Sequence, residues 1–503
     1  MNQNLIIAKN TAYLYLRLII TSIVGLYSAR LLILELGAED FGLYAVIGSI
    51  VALFNVLNTT MINTTNRFIA IELGKNNEIK INSVFNQLLR IHLAFGIILL
   101  LLIETAGRWY VNNYLNIDAS KIPSALFVLH TVSISTFFLS LSIPYQGILT
   151  AMEKFNVRSL LELTLSLLNL LAVALLQLID ENKIEYYALF ILIGQVTIVF
   201  LYFYWGTITG KRFTKLQIKL RSTDYKSILR FFFWQLIYVF GSVGTWQGIV
   251  FLINRFFGTV INAAYGISAR VNDLVYSFVK TLNQASMPQI VKNIGMGNEK
   301  RSLYLLYNLP RITFLIMIIP CVPLLIFLDP LISLWLKHVP EFTTWFIALR
   351  IIHGLISTLQ SGFDATIDAT GHIRSTKVFF AVLFLSIIPA GYYLFSLNSP
   401  PYFILIIIIF AEIIFGLFQL GVLSKHTDFS INTYYQESIK PMARIIILCS
   451  PLLLFRLFLP LSIINLFLAT SLILIITTLI VFFIGLKKNE KEVILSFINK
   501  KQL

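Results

Sequence analysis

The stretch GISARVNDLVYSFVKTLNQ, Gly266 to Gln284, lies inside an apolar run long enough to cross a bilayer, yet it holds Arg270, Asp273 and Lys280. Successive residues of an α-helix turn by about 100°. Arg270, Asp273, Ser277, Lys280 and Gln284 therefore share an arc of roughly 80°. The rest of the circumference carries Val271, Leu274, Val275, Phe278, Val279 and Leu282. This is the pattern of a spanning helix with one face in water or against protein and the other open to lipid. A charge near the bilayer centre costs about 2.5–3.5 kcal/mol on insertion scales, so three on one helix need partners or a wet surface. Arg270 and Asp273 stand at i, i+3 and are expected to pair, with Asp273 orienting Arg270. Lys280 lies nearer the cytoplasmic end and can extend toward the interface.

The same character continues from end to end. Of 503 residues, 57% are hydrophobic and 13% charged, against about 25% charged in soluble domains. Hydropathy windows place fourteen spans near 10–33, 41–66, 84–107, 123–149, 159–179, 186–208, 228–254, 260–287, 304–328, 342–367, 375–397, 401–424, 441–460 and 463–486. The expected fold class is an all-α integral membrane protein. The first run lacks a basic segment and a small-residue cleavage site, so it reads as a retained span. Cys321 and Cys449 sit in apolar runs and read as small buried hydrophobes. The outside loops are short and their acids scattered, His residues show no ligand spacing, and there is no P-loop; an enzyme and a bound cofactor are not expected.

The net charge of +15 would suit nucleic acid, but its placement gives a different reading. With the N-terminus inside, the outside loops hold Arg108, Lys121, Lys183, Arg255 and Lys337, and the inside segments hold several times as many cations. The bias places both termini in the cytoplasm and accounts for the charge without nucleic acid. The most basic loop, Lys211 to Lys226, reads as a topology signal that also attracts anionic membrane lipid.

Sliding the sequence on itself by an offset of 221 aligns Gly37 with Gly258, Tyr44 with Tyr265, Thr60 with Thr281, Gly74 with Gly295, Asn77 with Asn298 and Glu78 with Glu299. Two pseudo-symmetric six-helix lobes are expected, related by an axis along the membrane normal because each has an even number of spans. Residues 1–222 form the N-lobe with the basic linker, 223–424 the C-lobe, and 425–503 a C-terminal helix pair with a cytoplasmic tail. A cavity between lobes is the default site.

Other spans carry polar stripes too. In span one Asn10, Tyr13, Arg17, Thr21 and Ser28 share a face; span two ends with Asn55 and Asn58; span seven carries Gln235, Tyr238, Ser242 and Thr245, with Trp246 beside them. Such groups also glue helices together, but four spans with polar faces point to a shared lumen. Amides and hydroxyls match sugar hydroxyls, and Arg matches phosphate oxygens bidentately. Arg17, Arg270, Asp273, Lys280, Asn55, Asn58, Gln235, Tyr238, Ser242 and Thr245 are the expected substrate-binding residues.

The duplicated lobes, the segment LELGAEDFGLYAVIGSI (Leu34 to Ile50) and the segment GILTAMEKFNVRSLLELTLSLLNLL (Gly147 to Leu171) resemble the polysaccharide flippases of the multidrug/oligosaccharidyl-lipid/polysaccharide exporter (MOP) superfamily, above all the O-antigen, Wzx-like type. DATGHIRSTK, Asp368 to Lys377, is similar to a second copy of the turn in the second segment. The resemblance implies a MATE/MOP-like fold. It implies carriage of an undecaprenyl-pyrophosphate-linked oligosaccharide from the cytoplasmic to the periplasmic leaflet of a bacterial inner membrane, by alternating access of two lobes. Arg17, Arg270 and Lys280 would be the cavity cations. A coupling ion, H+ or Na+, and a polysaccharide polymerase partner go with the same reading. The extra helix pair is similar to that of lipid II flippases, whose Arg cluster across the first two spans is not evident here. A small-solute or drug exporter of the superfamily is the other alternative. Spans one and two lack the carboxylate it would use, which leaves Glu162 in the first lobe; Asp364 and Glu412 in the second are further candidates for coupling, with core pairing or interface exposure the expected role of each.

Overall fold

The computed structural model describes residues 3–113, 115, 117–217, 225–336, 338–457 and 462–492. Its described residues are helical throughout, in the order α1 Gln3–Gly74, α2 Glu78–Leu102, α3 Arg108–Asn113, α4 Ile122–Ala151, α5 Phe155–Leu175, α6 Lys183–Thr209, α7 Tyr225–Gly295, α8 Glu299–Ile326, α9 Leu328–Trp335, α10 Thr343–Ser357, α11 Phe363–Thr370, α12 Ile373–Leu385, α13 Ile387–Ser396, α14 Phe403–His426, α15 Ile431–Tyr434, α16 Lys440–Cys449 and α17 Ile463–Ile480, with short π and 3-10 turns between. Eleven are long and apolar enough to cross a membrane, or twelve when the bent pair Thr343–Gln360 and Phe363–Thr370 is one span. This is a multi-pass helical membrane protein.

Two of the long helices are in fact pairs. α1 breaks at Gly37 (φ 74°, ψ 172°) and α7 at Gly258 (φ 79°, ψ −175°). That backbone region is essentially closed to residues with a Cβ. A Cβ at either position would meet nothing within 4 Å, so glycine is required there by conformation and not by space. Spans one and two, and seven and eight, thus follow each other without a loop.

The internal repeat is visible in the same detail. α1 ends at Gly74 and α7 at Gly295, and the next helices are capped by Asn77 and Asn298, whose side chains accept from Lys80 N at 3.1 Å and Arg301 N at 3.2 Å. Glu78 and Glu299 follow in the first turn, where a carboxylate favours the positive end of the helix. The turn before α5 has Glu153 at φ 59° and the turn before α12 has Gly371 at φ 86°, each two residues ahead of its helix.

The chain divides into two compact units, one of Lys9–Leu236 and the other from Ile237 onward with the residues before Lys9. In the first, Ile47 of α1, Leu129 of α4, Val173 of α5 and Ala188 of α6 form the core. α2 holds the chain that leaves α6: Asn82 Nδ2 donates to the Phe213 and Lys215 carbonyls at 2.6 and 2.8 Å, Asn86 takes the Gln217 N–H at 2.9 Å, and Arg90 donates to the Gln217 carbonyl at 2.8 Å. The remainder of the expected basic linker, with Lys219 and Arg221, lies outside the described residues. In the second unit, Ile253 of α7, Phe346 of α10, Phe384 of α12 and Ile408 of α14 pack together. A separate core joins Phe314 of α8 to Ile445 of α16 and Ile473 of α17, so the C-terminal helices pack on this unit. Cys321 and Cys449 are buried and free.

Candidate functional site

In the unit Lys9–Leu236, α1 and α5 bring two arginines to one carboxylate. Arg17 donates to Oε2 of Glu162. Arg158, one turn earlier on α5, donates through Nε to Oε1 of Glu162 at 2.9 Å and through a terminal nitrogen to the Thr150 hydroxyl at 2.9 Å. One negative charge serves two positive ones, and the cluster is partly open, with side-chain exposures of 15% for Arg17, 12% for Arg158 and 25% for Glu162. Two guanidinium groups that each give one hydrogen bond to the same carboxylate present a pair of donors that also suits a phosphate. The sequence reading has Arg17 as a cavity cation and Glu162 as the one candidate coupling carboxylate of the first lobe; the structure joins them. Asn58 is buried and accepts from the Ser140 hydroxyl at 3.2 Å, and Gln235 is buried. The side chain of Asn55 lies outside the described residues.

In the second unit the polar groups are set by two close helix approaches. A Cβ on Gly241 of α7 would lie 2.6 Å from the Ala381 Cα of α12. Small residues at such contacts let backbones meet, and one turn away Lys377 places its Nζ 4.7 Å from the ring of Tyr238. Lys377 is buried, 2.9 Å from Asp364 Oδ1 and 3.2 Å from Asp368 Oδ1, and Gln419 of α14 donates to Asp364 at 3.2 Å. Thr245 turns its hydroxyl onto the Gly241 carbonyl of its own helix at 2.7 Å, and Ser242 is half-buried beside it.

The second approach is at Gly354 of α10, where a Cβ would meet Met317 of α8 at 2.4 Å and Asn272 of α7 at 3.2 Å. One turn earlier the buried Arg350 lies 4.8 Å over Trp246 and 4.3 Å over Tyr265. A desolvated cation on an aromatic face gains about 2 kcal/mol, while removing the ion from water costs several. Two faces offset much of that cost. His353, edge-on to Trp246 at 5.9 Å, meets Glu412 of α14 at 3.4 Å. Asp364 and Glu412 are thus both paired, Glu412 inside the bundle and Asp364 with its carboxylate half exposed.

The stripe on α7 differs from the expectation in its pairing. Asp273 meets Lys280 at 3.5 Å, two turns on, and not Arg270. Side chains on a helix lean toward its N-terminus. Lys280 therefore reaches back naturally toward Asp273, whereas Arg270 would have to reach forward. Arg270, Asp273 and Lys280 are all exposed.

Arg350, His353, Lys377 and Gln419 belong to these buried polar clusters, and reading the sequence did not place them there. Arg350 and His353 interrupt the apolar run TTWFIALRIIHGLIS, Thr343 to Ser357, and the rule that drew attention to Arg270 applies there equally. Lys377 closes the turn DATGHIRSTK, thirteen residues after Asp364.

No family model matches the sequence, and no curated protein matches it. Solved structures do match. A MATE transporter in the straight conformation is similar with a TM-score of 0.72 at 13% identity, over 84% of this chain and 96% of that one. An outward-facing multidrug resistance MATE family transporter of the MOP superfamily gives 0.70 at 13%, over 82% and 93%. A MOP superfamily transporter from Pyrococcus furiosus, described by a binding pocket of reverse polarity that suggests a different function, gives 0.69 at 13%, over 82% and 93%. These relatives in structure are transporters and not enzymes, and the chain has the fold of the MATE transporters of the MOP superfamily.

Proposed function

We propose that this protein is a flippase that moves an undecaprenyl-pyrophosphate-linked oligosaccharide, such as an O-antigen repeat unit, from the cytoplasmic to the periplasmic leaflet of a bacterial inner membrane by alternating access. The observation that carries the reading is the Arg17–Glu162–Arg158 cluster, partly open and carrying one positive charge more than its acid balances. An oxyanion arriving there competes with Glu162 for the guanidinium forks. In the other unit Lys377 balances one of the two charges of Asp364 and Asp368, and the cluster keeps one negative charge. A change of pocket polarity accompanies a change of function within this fold, as the description of the Pyrococcus furiosus transporter has it. The charge bias of the loops supports cytoplasmic termini, H+ or Na+ would be the coupling ion, and a polysaccharide polymerase would receive the product.

A drug exporter of the superfamily fits the fold equally well. The observation on its side is Glu412, whose partner is His353, itself edge-on to the Trp246 indole, so that no permanent cation pairs with this acid. The two readings separate in a strain that depends on this protein for surface glycan. Hydrogen bonds to charged groups contribute about 1.5–3 kcal/mol, so Arg17→Gln with Arg158→Gln is expected to lower displayed glycan at least tenfold. Glu412→Gln is expected to leave display intact. Normal display from the double arginine variant, at wild-type membrane abundance, would remove the flippase reading.

A further inference from the structure

Three cations are buried among the described residues: Arg311, Arg350 and Lys377. Arg311 meets Glu490, and Lys377 meets Asp364 and Asp368. Arg350 has no carboxylate of a described residue within ion-pair distance. Asp273 acts on it only from farther away, and is itself engaged by Lys280. The guanidinium carbon lies 4.8 Å from the Trp246 ring and 4.3 Å from the Tyr265 ring, while Nε has no hydrogen-bond partner. Asn272, which faces α10 one turn from Arg350, likewise has a buried carbonyl oxygen without a partner.

We infer that Arg350 is an oxyanion anchor of the second unit, taking a phosphate-type group of the transported substrate. The rings of Trp246 and Tyr265 hold the guanidinium and leave its Nε–H without a partner, and a phosphate meets that N–H and the neighbouring terminal N–H through two parallel hydrogen bonds. An incoming oxyanion supplies the counter-charge that the other two buried cations already have. The Asn272 oxygen, an acceptor, suits a hydroxyl of the attached sugar. The inference rests on the anionic-substrate reading above and deepens it by naming a residue, on α10, that the stripes of α1 and α7 do not contain.

The test is direct binding, with full-length protein in phosphatidylcholine nanodiscs and inorganic pyrophosphate as the probe. Trp246 is 4.8 Å from the guanidinium, so its fluorescence reports occupancy. Wild type is expected to give a saturable emission change. Arg350→Gln is expected to lose it and to bind at least tenfold more weakly by thermal shift, and Arg350→Lys, which keeps the charge without the fork, to weaken binding by about tenfold. Trp246→Phe is expected to keep the thermal shift and lose the emission change. A residue that merely packs would change the melting temperature of the Lys variant and leave its pyrophosphate affinity alone. That result would overturn the inference, even if the Gln variant failed to fold. So would absence of binding to wild type, saturable binding of glucuronate in place of pyrophosphate, or loss of the response in phosphatidylglycerol nanodiscs, which would assign these N–H groups to a bulk lipid headgroup. Failure here, with glycan display still dependent on Arg17 and Arg158, would leave the flippase reading standing.

Discussion

Lys377→Met is expected to destabilise the unit that begins at Ile237 by about 3–5 kcal/mol, because it removes one partner of a buried ion cluster and leaves the other charges behind. The ammonium is 2% exposed and sits between Asp364, 46% exposed, and Asp368, 7% exposed. Met keeps the length and apolar stem of the side chain, so the loss is electrostatic and not a cavity. Asp364 can turn to solvent, whereas Asp368 cannot, and most of the cost falls on Asp368. Adding Asp368→Asn to Lys377→Met is therefore expected to recover part of the loss. At about 2–4 °C per kcal/mol for a unit of this size, the single variant should melt roughly 10 °C lower. Melting of the purified protein, followed by size-exclusion retention after heating, checks it. A single variant that melts within about 2 °C of wild type would show that the cluster is not a buried counter-charge system.

Glu490→Ala is expected to act as strongly on the C-terminal segment. Arg311 on α8 is 1% exposed, and Glu490 accepts from both of its terminal nitrogens, as do the Gly485 carbonyl at 2.7 Å and Asn308 Oδ1 at 3.2 Å from one each. Lys487 adds a bond to Asn308 at 2.6 Å and a pair with Glu437. Removing the carboxylate leaves Arg311 buried and uncompensated, at a cost of about 3–5 kcal/mol. The segment after Gly485 should then come away from α8. Trypsin cleavage at Lys487, Lys488 and Lys491 is expected to accelerate at least tenfold in the Ala variant, and much less in Glu490→Gln, which keeps acceptor and shape. Equal cleavage rates in wild type and Glu490→Ala would contradict the docking of this segment.

What the sequence made legible is local or periodic. Gly37 and Gly258 are readable because a break with positive φ and ψ near 180° leaves no residue choice but glycine, and Asn77 and Asn298 because an N-cap is a side chain bonding three residues on. A repeat in such features survives where overall similarity has faded. The arc on α7 was readable because helical rotation is fixed, but several charges on one face do not choose their own partners. On a helical wheel Lys280 lies about 20° from Asp273 and Arg270 about 60°, while along the axis Arg270 is the nearer, and the lean of the side chains decides for Lys280. Contacts made by folding were beyond reach. Arg17 and Glu162 are 145 residues apart, and Arg350 meets Trp246 and Tyr265 through an approach of helices that Gly354 permits without announcing its partner.

The central claim is that the cargo is a lipid-linked glycan, and leaflet accounting tests it. In cells lacking this protein and any redundant flippase, lipid-linked oligosaccharide is extracted and its accessibility to a periplasmic glycan-modifying enzyme is measured. The account predicts accumulation of complete oligosaccharide that the enzyme cannot reach, relieved by wild type but not by the protein carrying both Arg17→Gln and Arg158→Gln. Normal surface glycan and no sequestered intermediate would contradict it and leave a transporter of small solutes.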